Sequence, residues 1–485
     1  MNKDRLAPLS GKPGLRRKRL RNKVSITAML IAAAASHMAA QGNLRAGAAR
    51  VDITGPADPA NPPAGKYEHE RLYVRAIVLD DSDTRAALIA ADQGGLGEAV
   101  WTAASKQIAA ELNCPVANIV MSATHTHSGG MPNFGRGGPP RGGMPQANPN
   151  QPPPPIVAQI LDAVRQAKSK LQPARVGYGK GLSYLNVNRD VVDPETHRWT
   201  QAPNLDAPSD KTVAVIKFAS PAGDPIAVYM TYAMHPVNGY LAGFTSADFA
   251  GATSRYVEQA YDDKIVAVFA QGASGDQNPL YLRAATNDMA SRSGVKITGN
   301  VLTREAVEAP IRDGKVPAGP PDPKVRDALE RVMDAEGVIL GEEVIRVMTN
   351  TTRLNASPRI AGAQTIVTVP GRKRLDNARE GTPGSYEGGD PVNIRLGVLR
   401  IGDVALGSVD AEIYSPIGMK FKERSPVADT MLVTLANGAA NSGYIPNDTS
   451  FGAYTFQVLG SRLRPGYAES AIVNGLLDLT HATEK

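Results

Sequence analysis

Apolar runs of strand length recur along this chain, and six of them empty into loops that carry polar residues of catalytic types. Asp92 follows Arg85–Ala91, His125 and His127 follow Ile119–Met121, and His235 follows Pro225–Tyr232. Asp276 and Asn278 follow Ile265–Ala270, Glu412 follows Val404–Val409, and Tyr444 stands in a sixth loop after Met431–Leu435. Helical periodicity lies between these runs. Strands alternating with helices build sheets whose ends open into a crevice, the usual place for ligands and chemistry in such folds. The pattern predicts an α/β (α+β) fold. It reads as a single large domain of mixed β-sheets flanked by helices, with the active site at the strand C-terminal ends.

Other elements follow from the same reading. Arg71–Asp80 and Val213–Phe218 read as strands, and Ile394–Ile401 forms a hairpin with Val404–Val409. Helices are expected over Glu98–Leu112, Ile156–Leu171, Asp248–Tyr261, Val325–Met348 and Tyr467–Leu479. Residues 129–155 cannot pack, because sixteen of the 27 are Gly or Pro. This is either a tolerated surface insertion or a lip over the site that begins two residues earlier. Lys315–Lys324 reads as a linker or long loop.

The net charge of +6 suggests nucleic acid until its location is considered. Nine Lys/Arg and one acid fall before residue 26, followed by the uncharged apolar run Val24–Ala35 and the small residues Ala39 and Ala40. A basic n-region, an h-region and a small-residue zone make a signal peptide over residues 1–40, and the rest sums to −2. The chain is therefore expected to be exported, to the periplasm or beyond, with no nucleic-acid partner. A retained N-terminal anchor is the alternative. No other segment has the length of an apolar membrane span, so at most peripheral membrane contact is expected. Cys114 is the only cysteine, which excludes an intrachain disulfide and a thiolate metal cluster. The sequence carries no sign of oligomeric state.

Three of the six histidines beyond residue 40 occupy strand ends. In an extended segment residues i and i+2 share a face, so His125 and His127 are expected to address one point. Neutral imidazole with a carboxylate is an ordinary zinc donor set, although no His-Glu-x-x-His motif is present. Each residue also has a plainer reading. Glu412 near a helix start complements the helix dipole, Tyr444 packs its ring against a loop, Arg189 is a surface ion-pair partner, and Asp92 and Asp276 form turns.

Four motifs bear on these readings. Thr124-His-Thr-His-Ser-Gly129, Met234-His-Pro-Val237, Ser274-Gly-Asp-x-x-Pro279 and Gly47-Ala-Ala-Arg-Val-Asp-Ile-Thr-Gly-Pro56 resemble, in order, those of the neutral/alkaline non-lysosomal ceramidases. The resemblance runs from about Ala46 to the C-terminus and implies an exported Zn2+ amidohydrolase domain over 46–485. Carried across, it makes His125, His235, Glu412 and Tyr444 the zinc ligands. His127 becomes the proton carrier and Arg189 the group that steadies a substrate oxygen. Asp248, in Thr245-Ser-Ala-Asp248, resembles a family element behind the ligands, while Asp92 and Asp276 are expected either to orient imidazoles or to form turns. Two departures stand out. Asn278 replaces the family's active-site serine, and a carboxamide cannot form an acyl-enzyme, so attack is left to zinc-activated water with Asn278 as a hydrogen-bond donor. The C-terminal β-sandwich usual in the family has no counterpart before Lys485. The function expected is hydrolysis of a lipid-like N-acyl amide. A zinc esterase or lactonase acting on a small molecule and a non-catalytic binding protein on the same fold are the rivals.

Overall fold

The computed structural model describes residues 42–129, 153–239, 244–281, 323–377 and 380–484, apart from 58, 60 and 61. The expected signal peptide, the centre of the Gly/Pro loop and most of Lys315–Lys324 lie outside these residues.

The first sheet grows from β1 (Arg45–Asp52), paired antiparallel with β2 (Tyr73–Asp80), which pairs antiparallel with β3 (Arg85–Ala91). β3 runs parallel to β4 (Ile119–Ala123), and β5 (Gln172–Pro173) extends the other edge. Parallel neighbours need a crossover, and α1 (Glu98–Leu112) supplies it. With α2 (Ile156–Ser169) it buries Trp101, Ile108, Ile160 and Val164 against one face of this sheet. β1 tolerates α2 at close range because Gly47 has no side chain. A Cβ there would lie 2.2 Å from the carbonyl oxygen of Ala167.

β6 (Arg175–Leu182) starts a second sheet, and the hairpin β7 (Asn186–Val192) to β8 (Trp199–Asn204) starts a third. The second sheet continues through β9 (Thr212–Ala219), β10 (Pro225–Tyr232) and β11 (Val266–Gln271), with β10 and β11 parallel. Its outer face carries α3 (Asp248–Gln259) and α4 (Pro323–Asn350), packed through Phe249, Phe269, Leu340 and Val344. β12 (Gln277–Pro279) completes the third, three-stranded sheet on β7. A fourth sheet runs β13 (Ile360–Arg374), β14 (Tyr386–Ile401), β15 (Val404–Val409), β16 (Asp429–Val433), the last two parallel. α5 (Ser415–Arg424) and α7 (Ala468–Ala482) cover it through Phe421, Ile472 and Leu476, and the one-turn α6 (Phe456–Gly460) lies between them in sequence.

The inner faces of three sheets meet in one core that includes Leu79, Val120, Ile216, Tyr229, Leu406 and Val433. Burying side chains of this size contributes about 1.5–3 kcal/mol each. Residues 42–485 form one unit. The mixed α/β architecture is as the sequence predicts, and β3, α1, β10 and β15 have the bounds read from it. β1, β6 to β8 and β13 are additions, and β16 begins and ends two residues earlier than expected. Among the described residues no helix is long and apolar enough to cross a membrane.

Candidate functional site

Each parallel strand pair delivers two C-terminal ends side by side: β3 with β4, β10 with β11, and β15 with β16. The loops that follow are stitched across the sheets. Asn437 N–H donates to Met121 O at 2.8 Å, and Asn437 Oδ1 accepts from Met121 N at 2.8 Å. Thr434 N–H donates to Gln271 O at 2.8 Å, and Leu435 N–H to Ala411 O at 3.3 Å. Gly275 N–H reaches Ile413 O at 2.8 Å, the same distance at which a Cβ on Gly275 would meet that oxygen. Only glycine allows the 272–278 loop to lie this close to Glu412.

His125 and His127 do converge, but not by strand alternation. β4 ends at Ala123, and His125 has a left-handed backbone with φ of +70°, a region in which histidine is enriched over most residues. Its N–H is held by Gln93 O at 3.0 Å, while His127 N–H is held by Pro236 O at 3.1 Å. The turn brings the two Nε2 atoms to 3.3 Å. His235 joins them, its ring centroid 5.0 Å from that of His125 and 5.8 Å from that of His127. One nitrogen from each of the three rings falls within 4.8 Å of the others. Glu412 Oε1 completes the group, 2.5 Å from His235 Nε2 and 3.4 Å from His125 Nε2.

Backbone carbonyls fix the tautomers. His125 Nδ1 lies 2.6 Å from Gly94 O, and His235 Nδ1 lies 2.9 Å from Gln277 O. A carbonyl only accepts, so in both rings Nδ1 carries the proton and Nε2 presents its lone pair. Burial, with neighbouring Arg189, lowers the pKa of His235 to about 4. Burial and the adjacent imidazoles also take His127 well below its ordinary value. Burial works against the charge of Glu412, and His125 and His235 outweigh it, holding the carboxyl well below its ordinary range. His127 and His235 are thus neutral imidazoles beside an ionised carboxylate. His235 Nε2 and Glu412 Oε1 crowd to 2.5 Å yet neither makes a hydrogen bond of ordinary geometry. Donors of these types pointed at one place suit a zinc ion.

Arg189, on β7, lies buried beside the cluster. It donates through Nη1 to Asn278 Oδ1 at 3.0 Å and through Nη2 to Gly275 O at 2.5 Å. Its guanidinium carbon sits 5.5 Å from the Tyr444 ring centroid and 5.2 Å from that of Phe456, which are packed edge to face. Arg189 keeps its charge because Tyr444, Glu412 and Asp190 outweigh the effect of burial. Tyr444 is therefore placed against Arg189, while His127 is the third ring of the metal-capable histidine group.

The three acids occupy different surroundings. Asp276 accepts from Ser415 N at 2.7 Å, Ser415 Oγ at 3.0 Å and Asn188 Nδ2 at 3.0 Å, and burial lifts its pKa to about 7. It clamps α5 to β7, and the next residue supplies the carbonyl that holds His235. Asp92 accepts from Tyr73 N at 2.8 Å and from Arg75 Nη1 at 3.1 Å. Arg75 also meets Glu258 at 3.0 Å, as do Arg50 at 2.5 Å and Arg255 at 2.7 Å. Asp248 starts α3 with φ of +55° and binds Asn238 and Gly239. His125 and His235 thus donate from Nδ1 to Gly94 and Gln277, whose backbone carbonyls no sequence motif identifies. Phe456 was also missed, since a lone aromatic residue in a short helix gives no signal.

The model of the N-terminal part of the neutral/alkaline non-lysosomal ceramidases matches residues 44–303. That span includes His125, His127, Arg189, His235 and Asn278, while Glu412 and Tyr444 lie beyond it. Two solved structures share the fold. A ceramidase complexed with C2 is 16% identical with a TM-score of 0.63, the alignment covering 91% of this chain and 75% of that one. The neutral ceramidase from Pseudomonas aeruginosa is 17% identical with a TM-score of 0.61, covering 91% and 74% respectively.

Proposed function

Given that the chain belongs to the neutral/alkaline non-lysosomal ceramidase family, we propose that it hydrolyses a lipid-like N-acyl amide with the help of zinc. His125, His235 and Glu412 would hold the ion, with Tyr444 as the fourth donor by resemblance to the family. The observation that carries this reading is the convergence of three histidine rings and Glu412 on one place, with His125 and His235 each locked from behind by a carbonyl. Zinc supplies Lewis acidity, polarising a carbonyl and making water a usable nucleophile near neutral pH.

The remaining steps belong to the chain's own residues. His127 is uncharged at neutral pH, so it can accept a proton from the attacking water and return it to the leaving amine. It is also less buried than the other two rings. Asn278 cannot act as a nucleophile. Because its Oδ1 accepts from Arg189, its amide N–H groups are left as donors, and a donor aimed at a developing oxyanion is worth about 2.7–4 kcal/mol. Arg189 adds fixed positive charge in the same place. Export through the N-terminal segment and action on substrate outside the cytoplasm are part of the same proposal.

The test is elemental analysis of the purified chain beside His125→Ala and His235→Ala, followed by assay on N-acyl amides and aryl esters. The expected result is about one zinc per chain, lost in both variants, with amide hydrolysis lost too. That loss should exceed the roughly 10–100-fold typical of an outer-shell change. Ester cleavage alone would select an esterase, and stoichiometric ligand binding without turnover would mark a binding protein.

A further inference from the structure

Behind the His-x-His loop lies a second group of buried ionisable side chains. The Nδ2 of Asn238 donates to two carboxyl groups at once, Asp248 Oδ1 at 3.0 Å and Glu336 Oε2 at 2.7 Å. Asp248 is fully supplied with donors, taking Gly239 N at 3.1 Å on Oδ2 and Phe249 N at 2.7 Å on Oδ1. Glu336, on α4, is not: its Oε1 is buried with no hydrogen-bond partner. Neither acid forms an ion pair with Lys or Arg among the described residues. Two ionised carboxylates sharing one neutral amide in the interior would repel with no Lys or Arg paired to either.

The group matters because of what it holds. Asn238 and Gly239 follow His235 in one segment, and Pro236 in that segment accepts the His127 N–H. A Cβ on Gly239 would lie 2.6 Å from Ser128 Oγ and 3.0 Å from Met333 Cε, so the segment is wedged between the His127 loop and α4. We propose that Glu336 is a positioning residue for the His127–His235 pair, and that it does this as an uncharged carboxylic acid. The inference rests on the reading of those histidines as the hydrolase site.

The surrounding charges agree. Burial, and then the proximity of Asp248, push the Glu336 carboxyl well above its ordinary range. Burial lifts Asp248 as well, against its three N–H donors. His69, facing Asp248 from the 68–70 turn, is pushed down by burial and brings no lasting positive charge. On α4 itself, Glu330 is pushed up by burial although Arg326 pairs with it, and Asp334 faces His69. A carboxyl whose pKa is raised on folding binds its proton more tightly in the native state, so stability falls as pH rises from the unfolded value towards the folded one.

The experiment compares the intact chain with Glu336→Gln and Glu336→Ala by thermal unfolding between about pH 5 and pH 9. It then follows the pH profile of kcat/KM on an N-acyl amide. The wild type is expected to lose melting temperature towards alkaline pH. Glu336→Gln, which imitates the protonated acid, should flatten that fall and carry the alkaline limb of kcat/KM to higher pH. Glu336→Ala should melt lower throughout, having lost the acceptor for Asn238. Parallel melting curves for wild type and Glu336→Gln would overturn the proposal, as would an unmoved alkaline limb. The melting comparison needs no turnover, so it still judges Glu336 if zinc analysis shows the hydrolase reading to be wrong.

Discussion

Two buried charged regions of the molecule are built on opposite plans. In one, Glu258 is met by Arg75, Arg50 and Arg255, and Arg75 also takes Asp92, so every acid has a guanidinium at bonding distance. In the other, Glu412 is set among imidazoles, with Lys and Arg making no direct ion pair to it among the described residues. The first region is complete with side chains alone. It holds α3 against the first sheet and steadies the loop whose carbonyls fix His125. The second turns the nitrogens of three rings and a carboxylate oxygen toward one place, which is how a site differs from a brace.

The largest effect of breaking this contrast falls on the brace. Glu258→Ala leaves three guanidinium groups facing an emptied position, and stability measured by urea unfolding should fall by about 3–5 kcal/mol. If the variant instead kept its stability and lost zinc, the two regions would not be separable as described. A smaller effect belongs to the reaction alone. Asn278→Ala should lower kcat on the order of 10²-fold while leaving zinc content and unfolding unchanged. An unaltered kcat would remove Asn278 from the oxyanion and leave that task to Arg189. Smallest is an acid effect. The pKa of His235 is depressed from 6.5 to about 4 on folding, so the unfolded chain binds more protons across that window and stability is lost as pH falls through it. The expected slope in zinc-free protein is at most about 1.4 kcal/mol per pH unit. His235→Gln should flatten it, whereas an identical slope would place the proton elsewhere.

Most of the scaffold was legible because apolar runs of the right length leave few alternatives. Val404–Val409 is buried at every position, and α1 shows its helical face in Trp101, Ile108 and Leu112. β1 escaped because its Arg45-Ala-Gly-Ala-Ala start carries no β-branched residue, and its strand state depends on β2 beside it. β6 escaped because glycines interrupt its apolar pattern. At the site, the histidines announced themselves by type and spacing. Their geometry did not, since the left-handed turn at His125 is held by the Gln93 and Gly94 carbonyls, contacts that lie 31 or more residues back along the chain. Glu258 and Glu336 were invisible for a related reason. An acid in a helix normally signals a solvated face, and only tertiary packing reveals that these two are inside.

The three strand ends that meet at the site also carry a kinetic consequence. His125, His235 and Glu412 belong to three different sheets and lie far apart along the chain, so joining them closes long loops whose entropy cost must be met before any contact there is gained. The helices and hairpins around them rely on neighbours in sequence and can form early. The donor cluster is accordingly assembled late in folding, when the sheets dock. A zinc ion would find its full set of ligands only in a chain that has already finished most of that work.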